Sequence, residues 1–192
     1  MPGSQQLRAE FSFLRDVVAE MERTVPYASA LVKSEDGVRI SLRDGEQSAS
    51  RAEPRTGVVF TVSNGSYLEE EATGDTSEEA VRAAAARLVE RAAARPKSNG
   101  KLNIDPGEPL DRTFETETVD DPSKLSLAQK LERFEALRQR VRTLDPRAVQ
   151  ATLRFTDGND SKLFVNRAKF VSEDIWRIQV FVTLFVSNGT DR

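Results

Sequence analysis

Two residue types are missing from this sequence altogether: it has no cysteine and no histidine. No disulfide framework can form, and the redox character of its compartment is left open. The usual Cys/His zinc site is excluded. So are the Ser-His-Asp and Cys-His arrangements of covalent catalysis. Carboxylate chemistry is what remains. Long apolar runs are also missing. No stretch approaches the roughly 18 residues of a membrane span. The start, MPGSQQLRAEFSFLRD, is too charged for the apolar region of a secretory signal. A cytoplasmic chain without a membrane partner is the default expectation. Nor is there a basic excess. With 28 Lys and Arg against 31 Asp and Glu, the net charge is −3, which argues against nucleic acid as a partner.

What is present is strong periodicity. Leu7, Phe11, Leu14, Val17, Val18 and Met21 recur at three- and four-residue spacing, which predicts a helix over 5–23. Strands follow, with Val38, Ile40 and Leu42 alternating against Arg39, Ser41 and Arg43. Asp36-Gly37, Asp44-Gly45 and Asn64-Gly65 read as hairpin turns. EQSASRAE reads as a polar edge strand closed by Pro54, and GVVFTVS as a strong strand. TSEE places an N-cap at Thr76, with Glu79 reaching back, ahead of an Ala-rich helix ended by Pro96. Residues 96–121 show no period and read as a connection. A further helix is capped at Ser123 or Ser126, with Leu127, Leu131, Phe134, Leu137, Val141 and Leu144 as its stripe. Arg138, Arg140 and Arg142 read as complements of its C-terminal dipole.

In the last third, Val149, Ala151, Leu153 and Phe155 alternate inward. Asp157-Gly158-Asn159-Asp160 reads as a turn. Its glycine falls second, too early for an EF-hand loop. A long strand runs from Ile175 to Ser187, with Trp176, Ile178, Val180, Val182, Leu184 and Val186 on one face. Phe181 and Phe185 on the other suggest cover on both sides over its late half. Glu69, Glu70 and Glu71 form the one dense carboxylate run. It reads as a solvated strand end, because alternation along a strand separates the side chains. Asn64-Gly65-Ser66 and Asn188-Gly189-Thr190 match the N-glycosylation pattern but read as turns.

The order helix, strands, NG turn occurs twice. This predicts an α+β fold: a duplicated helix-plus-antiparallel-strand unit, with a mostly antiparallel sheet and helices packed on it. The domain expectation is one domain over 1–192, with pseudo-repeat lobes 1–95 and 122–192 joined by a linker over 96–121. The closing LFVSNGTDR resembles the earlier FTVSNGSYLEEEAT. There a return strand follows the turn, so the end reads as a cut inside a larger protein.

Three stretches together resemble the TldD/PmbA metallopeptidases, also called modulators of DNA gyrase. They are YASALVKSEDGVRISLRDGEQSAS, GVVFTVSNGSYLEEEATGDTSEEAVRAAAARLVERA and VDDPSKLSLAQKLERFEALRQRVRTLDPRAVQATLRFTDGNDSKLFVN. The resemblance is to that family's N-terminal domain. It implies a role in the proteolysis of unfolded or modified peptides by the full-length protein. It also implies a homo- or heterodimer with a family subunit, and zinc held in the later, C-terminal part of catalytic members. The family's His-Glu-x-x-x-His and Cys ligands have no counterpart here, so no catalytic or metal residue is carried over and no cofactor is expected in this chain. By itself the chain is expected to be inactive. The alternative is a standalone peptide-binding or scaffold subunit. Its candidate site is the edge of the long apolar strand, at Ile178, Val180, Val182, Leu184 and Val186, taking a peptide by β-addition. A third reading, an enzyme using Glu69–Glu71 or Asp157 and Asp160, is the least supported.

Overall fold

The computed structural model describes residues 3–115 and 119–189. The elements in chain order are α1 (Ser4–Glu10), α2 (Leu14–Met21), β1 (Tyr27–Arg43), β2 (Glu46–Ser63), β3 (Leu68–Thr73), α3 (Glu78–Ala94), β4 (Leu110–Glu115), α4 (Leu127–Arg142), β5 (Ala148–Asn166) and β6 (Lys169–Val186). The strands form one six-stranded sheet in the order β3-β2-β1-β5-β6-β4. The fold is α+β. β1 and β5 sit centrally, β2 and β6 flank them, and β3 and β4 close the ends. The ends differ in direction. β3 runs antiparallel to β2, whereas β4 runs parallel to β6. Thus the stretch 96–121 contributes a strand.

Several local expectations are corrected. Asp36-Gly37 and Asp157-Gly158 are not turns, since β1 and β5 run straight through them. The glycines serve close approach instead. A Cβ on Gly37 would lie 2.5 Å from the Asp157 carbonyl oxygen, and one on Gly158 would lie 2.9 Å from that of Asp36. Only a residue without a side chain fits there. By contrast, Gly45 and Gly65 have positive φ and make the expected turns. β2 continues through Pro54. β3 pairs only with Val58–Ser63, so this proline lies where the described sheet has no strand beyond β2, the position a strand proline tolerates.

The predicted 5–23 helix is two helices. Leu14 and Arg15 donate their N–H groups to carbonyls three residues back, at Phe11 and Ser12, which tightens the chain between them. The apolar stripe survives the break, for Leu7, Phe11, Leu14, Val17, Val18 and Met21 are all buried. The cap of α3 is Ser77 rather than Thr76. The Ser77 hydroxyl accepts from the Ala80 N–H, and Asp75 holds Ser77 in place. The α4 cap is Ser126, with Gln129 completing the capping box.

The chain divides into two compact units of interleaved segments. Unit 1 comprises Met1–Glu35, Pro54–Glu115 and Asp160–Ile175; unit 2 comprises Asp36–Glu53, Thr116–Asn159 and Trp176–Arg192. In unit 1, α1, α2 and α3 bury their apolar faces against the sheet in one cluster that includes Leu7, Leu14, Phe60, Leu88, Leu163 and Val165. Each such side chain contributes on the order of 1.5–3 kcal/mol. Unit 2 has a smaller cluster of Ile40, Leu42, Leu153 and Phe155, with Leu131 and Phe134 of α4 packed on it. The rings of Phe134 and Phe155 stack at 4.0 Å.

The stripe expected on α4 is only partly a core stripe. Leu127 and Leu137 are exposed, and so is Leu144 just beyond the helix end. The buried residues of α4 are instead Lys130 and Arg138. They lie eight positions apart, on the Phe134 face of the helix.

Candidate functional site

The strand edge picked out in the sequence lies in unit 2. β6 has β5 on one side, and the Ser187 N–H donates to the Arg147 carbonyl where the two strands end. On its other side β4 pairs only with Lys169–Asp174. Among the described residues, Ile178–Val186 therefore have a strand on one side only. Ile178, Val180, Val182 and Val186 are exposed on one face, and Leu184 is half-buried. On the other face Phe181 is 63% exposed and Phe185 50%. Cover on both faces of the late half, expected from its apolar alternation, is overturned. The alternation registers hydrophobicity but cannot say what supplies the cover.

Beside this strand's start, unit 2 holds a cleft of about 430 Å³ lined by Asp36, Arg51, Ser126, Lys130, Asp157 and Trp176. Its charges are mostly spent internally. Lys130 donates to Asp157, and both side chains are almost fully buried. Asp157 also accepts the Val38 N–H at 3.1 Å. Arg51 reaches one oxygen of Asp36 at 3.4 Å, while the other is buried and accepts no hydrogen bond. A buried acceptor without a donor costs free energy.

Further along α4, Arg138 is buried. It donates to Asp44, Glu135 and the Ala151 carbonyl. Its hydrogen bonds to Glu135 and Asp44 outweigh burial, hold the guanidinium charged and push its pKa up. Glu135 is correspondingly held below the usual carboxylate range by Arg138. Arg138 is thus a clamp between α4 and the strands rather than a dipole complement. Sequence could have suggested this only through its alignment with Lys130 and Phe134.

In unit 1, a cleft of about 520 Å³ is lined by Arg15, Glu22, Arg23, Asp111, Arg167 and Lys169 among others. Asp111 binds both Arg8 and Arg15, whose hydrogen bonds hold its carboxyl low. The same two guanidiniums stack on Phe170 at 4.4 and 4.0 Å.

The carboxylate run is more organised than expected. Glu69 and Glu71 share one face of β3 and meet arginines of α3 and of its C-cap. Glu69 pairs with Arg91 and Arg95, and Glu71 with Arg87 and Arg91. Burial pulls Glu71 upward, but the hydrogen bonds from Arg91 and Arg87 outweigh it and leave the carboxyl below its usual range. Glu70 points the other way, to the Thr61 hydroxyl at 3.0 Å. Glu71, held low in this way, is a poor base. Among the described residues no three Asp or Glu side chains come together as metal ligands do. No helix is long and apolar enough to cross a membrane among these residues.

The fold has solved counterparts. One is a protein described as a modulator of DNA gyrase from Bacteroides thetaiotaomicron, with a TM-score of 0.74 and 12% identity, covering 100% of this chain and 44% of that one. The chain has the modulator-of-DNA-gyrase fold. TldE from Thermococcus kodakarensis matches with a TM-score of 0.68 and 12% identity, over 93% of this chain and 40% of that one. A second gyrase modulator, from Thermotoga maritima, matches at 0.56 and 14% identity, over 95% and 44%. At this identity the likeness is one of fold, and the chain spans less than half the length of each counterpart. No protein-family model matches the chain, and no curated protein matches it.

Proposed function

We propose that the chain is the non-catalytic N-terminal domain of a TldD/PmbA-type zinc metallopeptidase. The full-length protein would cleave unfolded or modified peptides in the cytoplasm, as a homo- or heterodimer with a family subunit. The observation that carries this reading is the match of the whole chain to under half of a gyrase modulator at a TM-score of 0.74. The absence of histidine and cysteine from the sequence supports the non-catalytic part. Zinc, on this reading, belongs to the remaining part of the catalytic protein.

Incubating the chain with zinc and an unstructured peptide should give no chelator-sensitive hydrolysis. Reproducible cleavage that a chelator abolishes would overturn the reading. The second reading is a standalone peptide-binding or scaffold subunit. It is favoured by one observation, the open apolar edge at Ile178, Val180, Val182, Leu184 and Val186. An extended peptide would add there as a strand, its main chain supplying hydrogen bonds and alternate side chains the specificity.

A further inference from the structure

We infer that Asn99-Gly100, in the connection after α3, is a site of spontaneous modification. The asparagine converts to aspartate and isoaspartate, which releases this connection from the Asn64-Gly65 turn, while the fold holds Asn64 itself inert. The inference goes beyond the proposed function and does not rest on it.

The sequence poses the comparison. Ser-Asn-Gly occurs at 63–65, 98–100 and 187–189, and the first two copies share unit 1. An asparagine before glycine is the most open to attack by the next backbone nitrogen, because glycine has no side chain to crowd it. The Gly100 nitrogen attacks the side-chain carbonyl carbon of Asn99. The bond from that carbon to the amide nitrogen breaks, and ammonia leaves with the glycine proton. Water then opens the five-membered imide at either carbonyl. One opening gives aspartate. The other gives isoaspartate, with the main chain routed through the side chain. Water is the only co-reactant, and nothing is oxidised or reduced.

The fold separates the two sites. Asn64 is 5% exposed. Its amide nitrogen donates to the carbonyls of Ala92 and Arg95 at 3.2 and 3.3 Å. Its amide oxygen accepts the N–H groups of Ser66 and Tyr67 at 3.0 and 3.1 Å. The carbonyl carbon cannot swing toward the Gly65 nitrogen without breaking these bonds. Asn99 is exposed and, among the described residues, its side chain makes no hydrogen bond. In both tripeptides the glycine N–H donates to the serine hydroxyl, at 3.0 Å for Gly65 and 3.2 Å for Gly100, so that bond does not set them apart. Asn103 lies in the same connection and is also exposed, but Ile104 follows it, and a branched side chain shields the attacking nitrogen. Asn64 thus has the glycine without the freedom, Asn103 the freedom without the glycine, and Asn99 both.

The product acts on its surroundings because the Asn99 stretch is docked on the Asn64 turn. The Ser66 hydroxyl shares its proton between the Ser98 and Gly100 carbonyls at 3.3 and 3.1 Å. The Leu102 N–H donates to the Gly65 carbonyl at 2.8 Å. Isoaspartate lengthens the main chain between Ser98 and Gly100 and adds a negative charge, so these bonds fall out of register.

The test is peptide mapping by mass spectrometry on the chain held at physiological temperature and mildly alkaline pH. An isoaspartyl methyltransferase serves as the reagent that marks the β-linked product. Each asparagine is read separately, Asn188 included. Asn99 should convert roughly tenfold or more faster than Asn64, which reacts only from an opened state, and faster than Asn103. In denaturant Asn64 should rise to the rate of Asn99. The φ of Gly100 is not positive, and a Cβ there would meet the Ser98 hydroxyl at 3.4 Å, an ordinary contact. Gly100→Ala should therefore fold normally and slow conversion at Asn99. In the converted fraction the Leu102 amide should exchange faster with solvent hydrogen. Four results would overturn the proposal: equal rates at Asn64 and Asn99 in the folded chain, an Asn64 rate unmoved by denaturant, an Asn99 rate indifferent to Gly100→Ala, or a Leu102 amide protected equally before and after conversion.

Discussion

Unit 1 buries Leu7, Leu14, Phe60 and Leu88 with many others in one apolar cluster, while the cluster in unit 2 is Ile40, Leu42, Leu153 and Phe155. Beside that small cluster unit 2 buries the charged heads of Lys130 and Arg138. The exposed apolar side chains are divided as unevenly. Leu68, Leu102, Leu110 and Phe114 belong to unit 1, and the remaining large ones, Phe181 and Phe185 among them, to unit 2. The two units are therefore built differently. One half spends its hydrophobic residues inward and is closed. The other holds its helix with ion pairs and leaves apolar strand surface outside.

Three perturbations test this difference. The largest effect is expected from Phe60→Ala, which opens a cavity in the unit 1 cluster and should cost about 3–5 kcal/mol, read as a lowered denaturation midpoint. Next is Lys130→Met, which leaves Asp157 buried without its cation. Breaking a buried pair from one side costs about 3 kcal/mol or more. The loss should appear as faster amide exchange in unit 2. The double change Lys130→Met with Asp157→Leu should recover most of it, because no charge is then stranded. If the double variant is as damaged as the single one, the ion-pair account of unit 2 is wrong.

The smallest effect is expected from acid. Arg138 holds Glu135 low, and Arg147 holds Asp145 down to about 2. The unfolded chain, with ordinary carboxylate values, then binds more protons than the folded one as pH falls. The stability these groups contribute is full above the ordinary carboxylate range and is lost as pH drops through the lowered values. Asp111 and Glu71 lose theirs in unit 1 likewise, but the apolar cluster there does not titrate. Between about pH 5 and pH 2, amides of unit 2 should therefore lose protection before those of unit 1. Equal loss would count against the comparison.

The closed half was readable from sequence, because its information is periodic. The Leu7–Met21 stripe, the Ala-rich α3 and the Asn64-Gly65 turn each follow from local spacing and turn chemistry. The misread features depend on partners far away in the chain. Gly37 and Gly158 look like turn residues until β1 and β5 are seen to approach each other there. Lys130 and Arg138 look like surface residues until Asp157, Asp44 and Ala151 are placed beside them. Glu69 and Glu71 look merely solvated until α3 sets its arginines against them. The β6 edge was visible as an apolar alternation, but its exposure was not, since hydrophobicity is the same whether or not a partner is in place.

The most direct test of the contrast between the units is residue-resolved hydrogen exchange on the dilute, monomeric chain at neutral pH. Amides of Phe60, Val62 and Leu163 in unit 1 should exchange only through global unfolding, and those of Ile40, Leu42 and Leu153 in unit 2 through a smaller opening at lower free energy. Uniform protection across both sets would contradict the account.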